Sequence, residues 1–338
     1  AVLPPQSVAR LFDTLRALKA KGMSILFISH KLEEIKELCD TATILRAGRV
    51  TGRVDPAAHS AKELATLMIG RPMPPPLHPT PHGVGEARLE LAGLDFANDD
   101  PFGVSLTDIA LTLRAGEIMG IAGISGNGQQ ELAALISGEI VQGGGDTIRM
   151  MGRPVGHLGA AARRQMGFAF VPEDRLGRGA VPEMSLSDNA LLTAHGRGLV
   201  TRGFISREAE RAYTTACIAR FDVRTIGPDA EAGALSGGNL QKFIMGREIM
   251  LNPKLLLVAQ PTWGVDIGAA VDIRQRLVQM RNEGAAILVI SEEIEELFEI
   301  CDRLHVLHQG RLSPSLTTQA TTVEQVGAYM IGAGDHSA

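Results

Sequence analysis

Two short segments combine glycines, hydroxyls and amides in patterns suited to holding an anion. The first is GISGNGQQ, Gly123 to Gln130. It follows the apolar run GEIMGIAG and precedes the amphipathic run QQELAALISGE, a strand–loop–helix setting. Glycines let a backbone curl so that successive N–H groups face one point, and the positive end of the following helix favours negative charge. Gly123, Ser125, Gly126, Asn127 and Gly128 therefore form a candidate phosphate-binding loop, ended by Gln129 and Gln130. The second is LSGGNLQK, Leu235 to Lys242. Here Ser236, Gly237 and Gly238 open a helix and offer a hydroxyl and free N–H groups. An N-cap alone would use the same residue types. The apolar strand KLLLVAQ and the turn PTWGVD come next at close spacing.

The elements that must position these segments are legible from periodicity. ARLELAGLDF and SLTDIALTL alternate as strands, and QMGFAFVPEDR reads as a strand leading into a polar turn. Residues 186–229 read mostly as helix, with SREAERAYTTACIARF the clearest part. The LSGG segment continues into the helical NLQKFIMGREIM, AAVDIRQRLVQMRNEG closes a helix at Gly284, and AILVIS is a further strand. Strands alternating with helices imply an α/β layer structure interrupted by a helical insert.

Composition narrows the function classes. The chain has 338 residues, 45% hydrophobic, with one Trp and two Tyr, so its core must be aliphatic. A net charge of −5 with mixed signs argues against a nucleic-acid surface. Cys39, Cys217 and Cys301 are far apart and odd in number, which fits a reducing compartment better than a disulfide framework or a metal knuckle. No run of eighteen apolar residues is present, so membrane association would need a partner.

The chain also repeats itself. GMSILFISHKLEEIKELCDTATILRAGRV, Gly22 to Val50, and GAAILVISEEIEELFEICDRLHVLHQGRL, Gly284 to Leu312, share a constant offset of 262 residues. Ser29 meets Ser291, Cys39 meets Cys301, Gly48 meets Gly310, and MIG at 68–70 meets MIG at 330–332. This register implies a tandem protein. Residues 1–70 would be the end of a first copy, 71–85 a proline-rich linker, 86–332 a complete second copy and 333–338 a flexible tail. On this reading about 180 residues of the first copy would precede Ala1.

The motifs together resemble the ATP-binding proteins of ABC transporters over nearly the whole chain. GIAGISGNGQQEL, FVPEDRLGRG, VAQPTWGVDIGA and VISEEIEEL resemble the second nucleotide-binding domain of double-domain importers for simple sugars and nucleosides. The Gly-Asn-Gly-Gln loop and the Ala-Gln-Pro-Thr segment look more like the purine-nucleoside type, with monosaccharide import as the alternative. The resemblance implies an ABC-type P-loop NTPase fold, with a mixed sheet, an antiparallel β subdomain and a helical subdomain. It also implies ATP and Mg²⁺ as cofactors of the complete assembly. The implied partners are the rest of the first nucleotide-binding domain, an integral permease and, indirectly, a solute-binding protein. No nucleic acid is expected, and the location implied is the cytoplasmic face of the membrane.

Several family positions are substituted. The loop lysine and the Mg²⁺-binding hydroxyl become Gln129 and Gln130, and the strand-end carboxylates become Ala259 and Gln260. The switch histidine becomes Glu292 and the Q-loop glutamine becomes Glu173. An amide brings no positive charge and cannot take a proton as a carboxylate does. The second copy is therefore expected to be hydrolytically inactive, with weak nucleotide binding at best. In the first copy His30, in FISHK, is expected to end an apolar strand and stands at the switch position. Asp266 matches the D-loop aspartate, with Pro4 as its counterpart. Because ABC domains close head to tail, Ser236–Gly238 would serve the first copy's site, where His30 belongs. A soluble ABC protein of translation or DNA repair, and a purely regulatory fragment, are the competing readings.

Overall fold

The computed structural model describes residues 5–29, 31–46, 48–70, 83–142 and 146–333. His30, Pro4, residues 71–82 of the proline-rich stretch and 334–338 of the tail lie outside the described residues. The chain divides into two compact units, Ala1–Pro76 with Asp266–Val271, and Leu77–Val265 with Asp272–Ala338.

In the larger unit the continuous apolar runs become the middle of a mostly parallel sheet. Strand Ile118–Ala122 lies between Arg303–His308 and Ala286–Ser291, followed outward by Leu255–Ala259 and Phe168–Val171. Short antiparallel strands, Arg311–Leu312 and Leu316–Thr317, close the far edge against Arg303–His308. Ile118–Ala122, Leu255–Ala259 and Ala286–Ser291 are buried along their whole length. Parallel strands covered on both faces need this uniform apolarity, which is why the runs do not alternate. One face carries a core that includes Phe243, Leu277 and Leu297, the other a core that includes Leu132, Leu135 and Leu288.

A second, antiparallel sheet orders Leu106–Arg114, Ala87–Phe96, Ile148–Met150 and Arg153–Pro154. It meets the larger sheet at Gly310, whose carbonyl accepts the Thr107 N–H at 2.9 Å. A Cβ at Gly310 (φ +74°) would fall 1.9 Å from the Ser105 carbonyl. The third part is helical, with Leu186–Ala194, Arg207–Arg220 and Gly237–Ile249 packed together. It corrects the mostly helical reading of 186–229 at one place. Val200–Thr201 and Phe204–Ile205 pair as a two-residue-turn hairpin, with Arg202 and Gly203 both at positive φ. That turn matches strand twist when both central residues are left-handed. The Arg-Gly pair supplies it without the usual Asn-Gly signal.

The smaller unit carries helices Pro5–Ala20, Leu32–Leu38 and Ala61–Ile69 and the hairpin Ala42–Arg46 with Arg49–Val54. Some element bounds recur in the larger unit at the 262-residue offset. Leu32–Leu38 matches Ile294–Ile300, and the short 3-10 turn Pro56–Ala58 matches Thr318–Ala320. One expected element differs. The apolar strand expected to end at His30 is not a strand: Met23–Ser29 has no regular structure, and Leu26 and Ile28 are each 89% exposed. Ala286–Ser291, its counterpart, is paired on both sides by parallel neighbours. No described strand pairs with Met23–Ser29, so its N–H and C=O groups have no ladder to join.

Candidate functional site

The loops at the carboxyl ends of the parallel strands converge on one narrow cleft, the usual place for a ligand in an open α/β sheet. Ile118–Ala122 delivers Gly123–Gly128 and then the helix Gln129–Ser137. Gly126 (φ +83°) and Gly128 (φ +109°) take left-handed conformations that curl the loop. Phe168–Val171 delivers Glu173, Leu255–Ala259 delivers Gln260, and Ala286–Ser291 delivers Glu292. Of the residues singled out in the sequence, Gly123, Ser125, Gly126, Gln129, Gln130, Glu173, Ala259, Gln260 and Glu292 line this cleft. Its free volume is only about 20 Å³, the scale of one water molecule.

The reason for the small volume lies in Gln129. Its Nε2 donates to the Ile124 carbonyl at 2.9 Å, and its Oε1 accepts the Asn127 N–H at 3.1 Å. The amide therefore occupies the concave side of the loop and uses one of the N–H groups that an anion would seek. A Cβ at Gly123 would come within 2.4 Å of that Nε2, so only glycine admits the fold-back. Asn127 clamps the loop from outside. Its Nδ2 donates to Ile124 O at 2.8 Å, its Oδ1 accepts Gln309 N–H at 2.7 Å, and its carbonyl accepts Gly310 N–H at 3.0 Å.

Across the cleft the charges are negative. Glu292 has its carboxyl pKa raised by burial and by neighbouring Glu173, against hydrogen bonds from Ser125. Glu173 is raised by burial and by Asp174, against a hydrogen bond from Gln130 and the charge of Arg178. Gln260 (φ +50°) is buried, and its Oε1 accepts the Glu292 N–H at 3.3 Å. A neutral amide thus sits where the strand-end chemistry would occur. The cleft's cation, Arg178, was missed by the sequence reading and is bound by Glu139 and, at 3.8 Å, by Asp174.

Also missed was Glu296, 2% exposed behind the cleft, where Ser291 Oγ donates to it at 3.0 Å. Burial raises its pKa to about 7. The repeat register does give the signal, since Ser29 Oγ donates to Glu34 at 3.1 Å at the corresponding place.

Ser236, Gly237 and Gly238 do not line the cleft. Ser236 is exposed at the N-cap of Gly237–Ile249 and makes no side-chain cap, its Oγ accepting instead from Asn239 Nδ2 at 2.9 Å. The helix start keeps its anion-facing N–H groups open. Asp266 caps its own helix, Ile267–Asn282, through an Oδ1 that accepts the Ala269 N–H at 3.0 Å. Among the described residues no His, Cys, Asp and Glu cluster suits a metal ion, and no helix is long and apolar enough to cross a membrane.

A glycine loop between a central parallel strand and a helix, with an antiparallel sheet and a helical part attached, defines a P-loop-type α/β nucleotide-binding domain. Solved structures agree in fold. A dimeric bacterial ABC transporter cassette aligns with TM-score 0.59 at 20% identity over 68% of this chain and 98% of its own. An ATP-binding subunit of an ABC transporter aligns with TM-score 0.59 at 20% identity over 72% and 99%. Residues 106–263 match the family model described as ABC transporter. The chain is 38% identical to a glucose import ATP-binding protein of Haloferax volcanii, over 100% of this chain and 62% of that protein. It is 35% identical to a nucleoside import ATP-binding protein of Lactococcus lactis, over 98% and 65%. A ribose import ATP-binding protein of Rubrobacter xylanophilus is 38% identical over 96% and 64%. Over nearly its whole length the chain is similar to ABC-transporter ATP-binding proteins of sugar and nucleoside importers. It spans a little under two thirds of the length of these relatives.

Proposed function

We propose that this chain is the larger part of an importer's ATP-binding subunit. Its complete domain contributes a signature to a neighbouring site but does not hydrolyse ATP at its own. The observation that carries the reading is the Gln129 amide folded into the phosphate loop, opposite the carboxyls of Glu173 and Glu292. A triphosphate with Mg²⁺ needs a cation at the loop, a hydroxyl or carboxylate for the metal, and a base for water. Gln129, Gln130, Ala259 and Gln260 supply none of these at the family positions, and Arg178, held by Glu139 and Asp174 on the cleft wall, does not replace the missing loop cation, so the residues present fit that group poorly.

Ser236 and Gly237, exposed at a helix start with no side-chain cap, together with half-buried Gly238, are offered to a second nucleotide-binding domain. The first copy is the domain proposed to receive them, with His30 at its switch position. The tandem arrangement is supported by the recurrence of element bounds and of the Ser–Glu hydrogen bond at one offset. Catalysis then resides in one composite site, where the signature stabilises charge on the transferred phosphoryl group. A permease would supply the membrane-spanning part, placing this subunit at the cytoplasmic face.

For the solute, the relatives' names favour a monosaccharide over a purine nucleoside: glucose, ribose and xylose importers outnumber nucleoside and guanosine importers among them. This reverses the preference that the Gly-Asn-Gly-Gln loop suggested. The decisive assay measures MgATP turnover by the purified chain. No turnover above background is expected, and Gln129→Lys alone should not create it. Sustained hydrolysis by the unaltered chain would refute the proposal. Uptake of labelled ribose against labelled guanosine by the assembled transporter tests the solute.

A further inference from the structure

Arg175 occupies a position that the proposed function does not use. It lies in the turn after Phe168–Val171, two residues beyond Glu173 of the cleft. Its guanidinium carbon stands 5.3 Å from the centre of the Trp263 ring, a stacking distance for a cation over an aromatic face. Its Nε donates to Gln241 Oε1 at 3.1 Å, and Gln241, 1% exposed, passes Nε2 on to the Pro261 carbonyl at 3.1 Å. Its Nη1 lies 2.7 Å from where a Cβ on Gly237 would be, and its Nη2 lies 3.4 Å from the equivalent point on Gly264. Both glycines leave room for the planar group. Gly238 in turn rests on Val265, with an added Cβ 3.7 Å from that backbone.

Three segments meet at this guanidinium: the turn that carries Glu173, the first turn of the signature helix, and the Pro261–Val265 turn that comes after Gln260. The placement is unusual electrostatically. The start of a helix is its positive end, and a fixed cation beside it is unfavourable unless an anion is shared between them. Arg175 Nη2 is enclosed and has no hydrogen-bond partner among the described residues. Packing alone would be served better by a neutral side chain. A planar cation with a fixed fork, by contrast, can stack, donate through Nε and set the angle of the helix start together.

We propose that Arg175 is a positioning residue that staples the first turn of the signature helix to the Pro261–Val265 turn, holding Ser236–Gly238 at the angle the neighbouring composite site requires. The inference rests on the composite-site reading, and the test separates the two. Trp263 is the only tryptophan of the chain, so its emission reports the stack directly. Arg175→Met and Arg175→Lys should each shift that emission to longer wavelength, because water replaces the guanidinium, with the thermal midpoint unchanged. Unshifted emission in both overturns the staple.

In the assembled two-copy protein turning over MgATP, Ser236→Ala sets the benchmark. Both Arg175 variants are expected to lower kcat about tenfold with KM nearly unchanged, the signature of misaimed rather than missing contacts. Trp263→Phe, which keeps an aromatic face, should retain more turnover than Trp263→Ala. If Ser236→Ala is without effect, the composite-site reading and this inference both fall. If Ser236→Ala is impaired while both Arg175 variants turn over like the unaltered protein, this inference alone falls.

Discussion

Met23–Ser29 and Ala285–Ser291 have nearly the same sequence pattern, MSILFIS against AAILVIS, and opposite fates. The second is a central strand with every residue from Ala286 buried. The first has no regular structure, and two of its large apolar side chains are 89% exposed. The helices downstream of the two segments are alike: Leu32–Leu38 and Ile294–Ile300 are each led by a serine that holds a glutamate five residues on. Helix and capping contacts are local and survive in both places. A parallel strand is made by its neighbours, and Ala286–Ser291 has Leu255–Ala259 and Ile118–Ala122 to pair with.

The largest consequence should appear on charging each strand position. Leu288→Asp places a carboxylate inside the core that includes Leu132 and Leu135 and is expected to cost more than about 4 kcal/mol, unfolding the larger unit. Leu26→Asp, its counterpart, should change stability by less than about 0.5 kcal/mol; urea unfolding of both variants decides. A cost at Leu26 similar to that at Leu288 would break the contrast.

Next comes the acid behind the cleft. The folded pKa of Glu296, near 7, lies above the ordinary carboxyl value, so the folded state favours the protonated form. No penalty applies below about pH 4. It grows as pH rises, and reaches about 3 kcal/mol above pH 7. Glu296→Gln should remove it, raising the thermal midpoint at about pH 8 and leaving it near unchanged at about pH 4.5. Melting curves at the two pH values check this. The smallest effect concerns the serines. Ser291→Ala strips a donor from a buried carboxyl and should cost about 1–2 kcal/mol, whereas Ser29→Ala should cost about 0.5 kcal/mol or less.

Much of the larger unit was legible because burial on both faces leaves a plain trace: LLLVA and AILVIS cannot be solvated strands. The phosphate loop and the signature were legible from glycines whose spacing serves a backbone purpose. The environment of each side chain was not. That Gln129 turns inward depends on the Ile124 carbonyl and the Asn127 N–H being within reach, which only the closed loop creates. Arg175, Arg178 and Glu296 look like ordinary surface charges until distant turns enclose them. The hairpin at Val200–Ile205 was hidden because Arg-Gly is a weak turn marker between helical runs. Met23–Ser29 misled for the opposite reason, since its pattern describes what it would become beside partners.

Gly310 and Gly48 occupy the same register with the same φ of +74°, yet a methyl group would strike Ser105 within 1.9 Å in one and meet empty space in the other. The glycine that welds two sheets together, and holds Asn127 as well, is a keystone: nothing can be grafted, labelled or inserted there without loosening the loop above it. Its twin meets no neighbour among the described residues, so a side chain there would be opposed only by the left-handed backbone that Gly48 adopts.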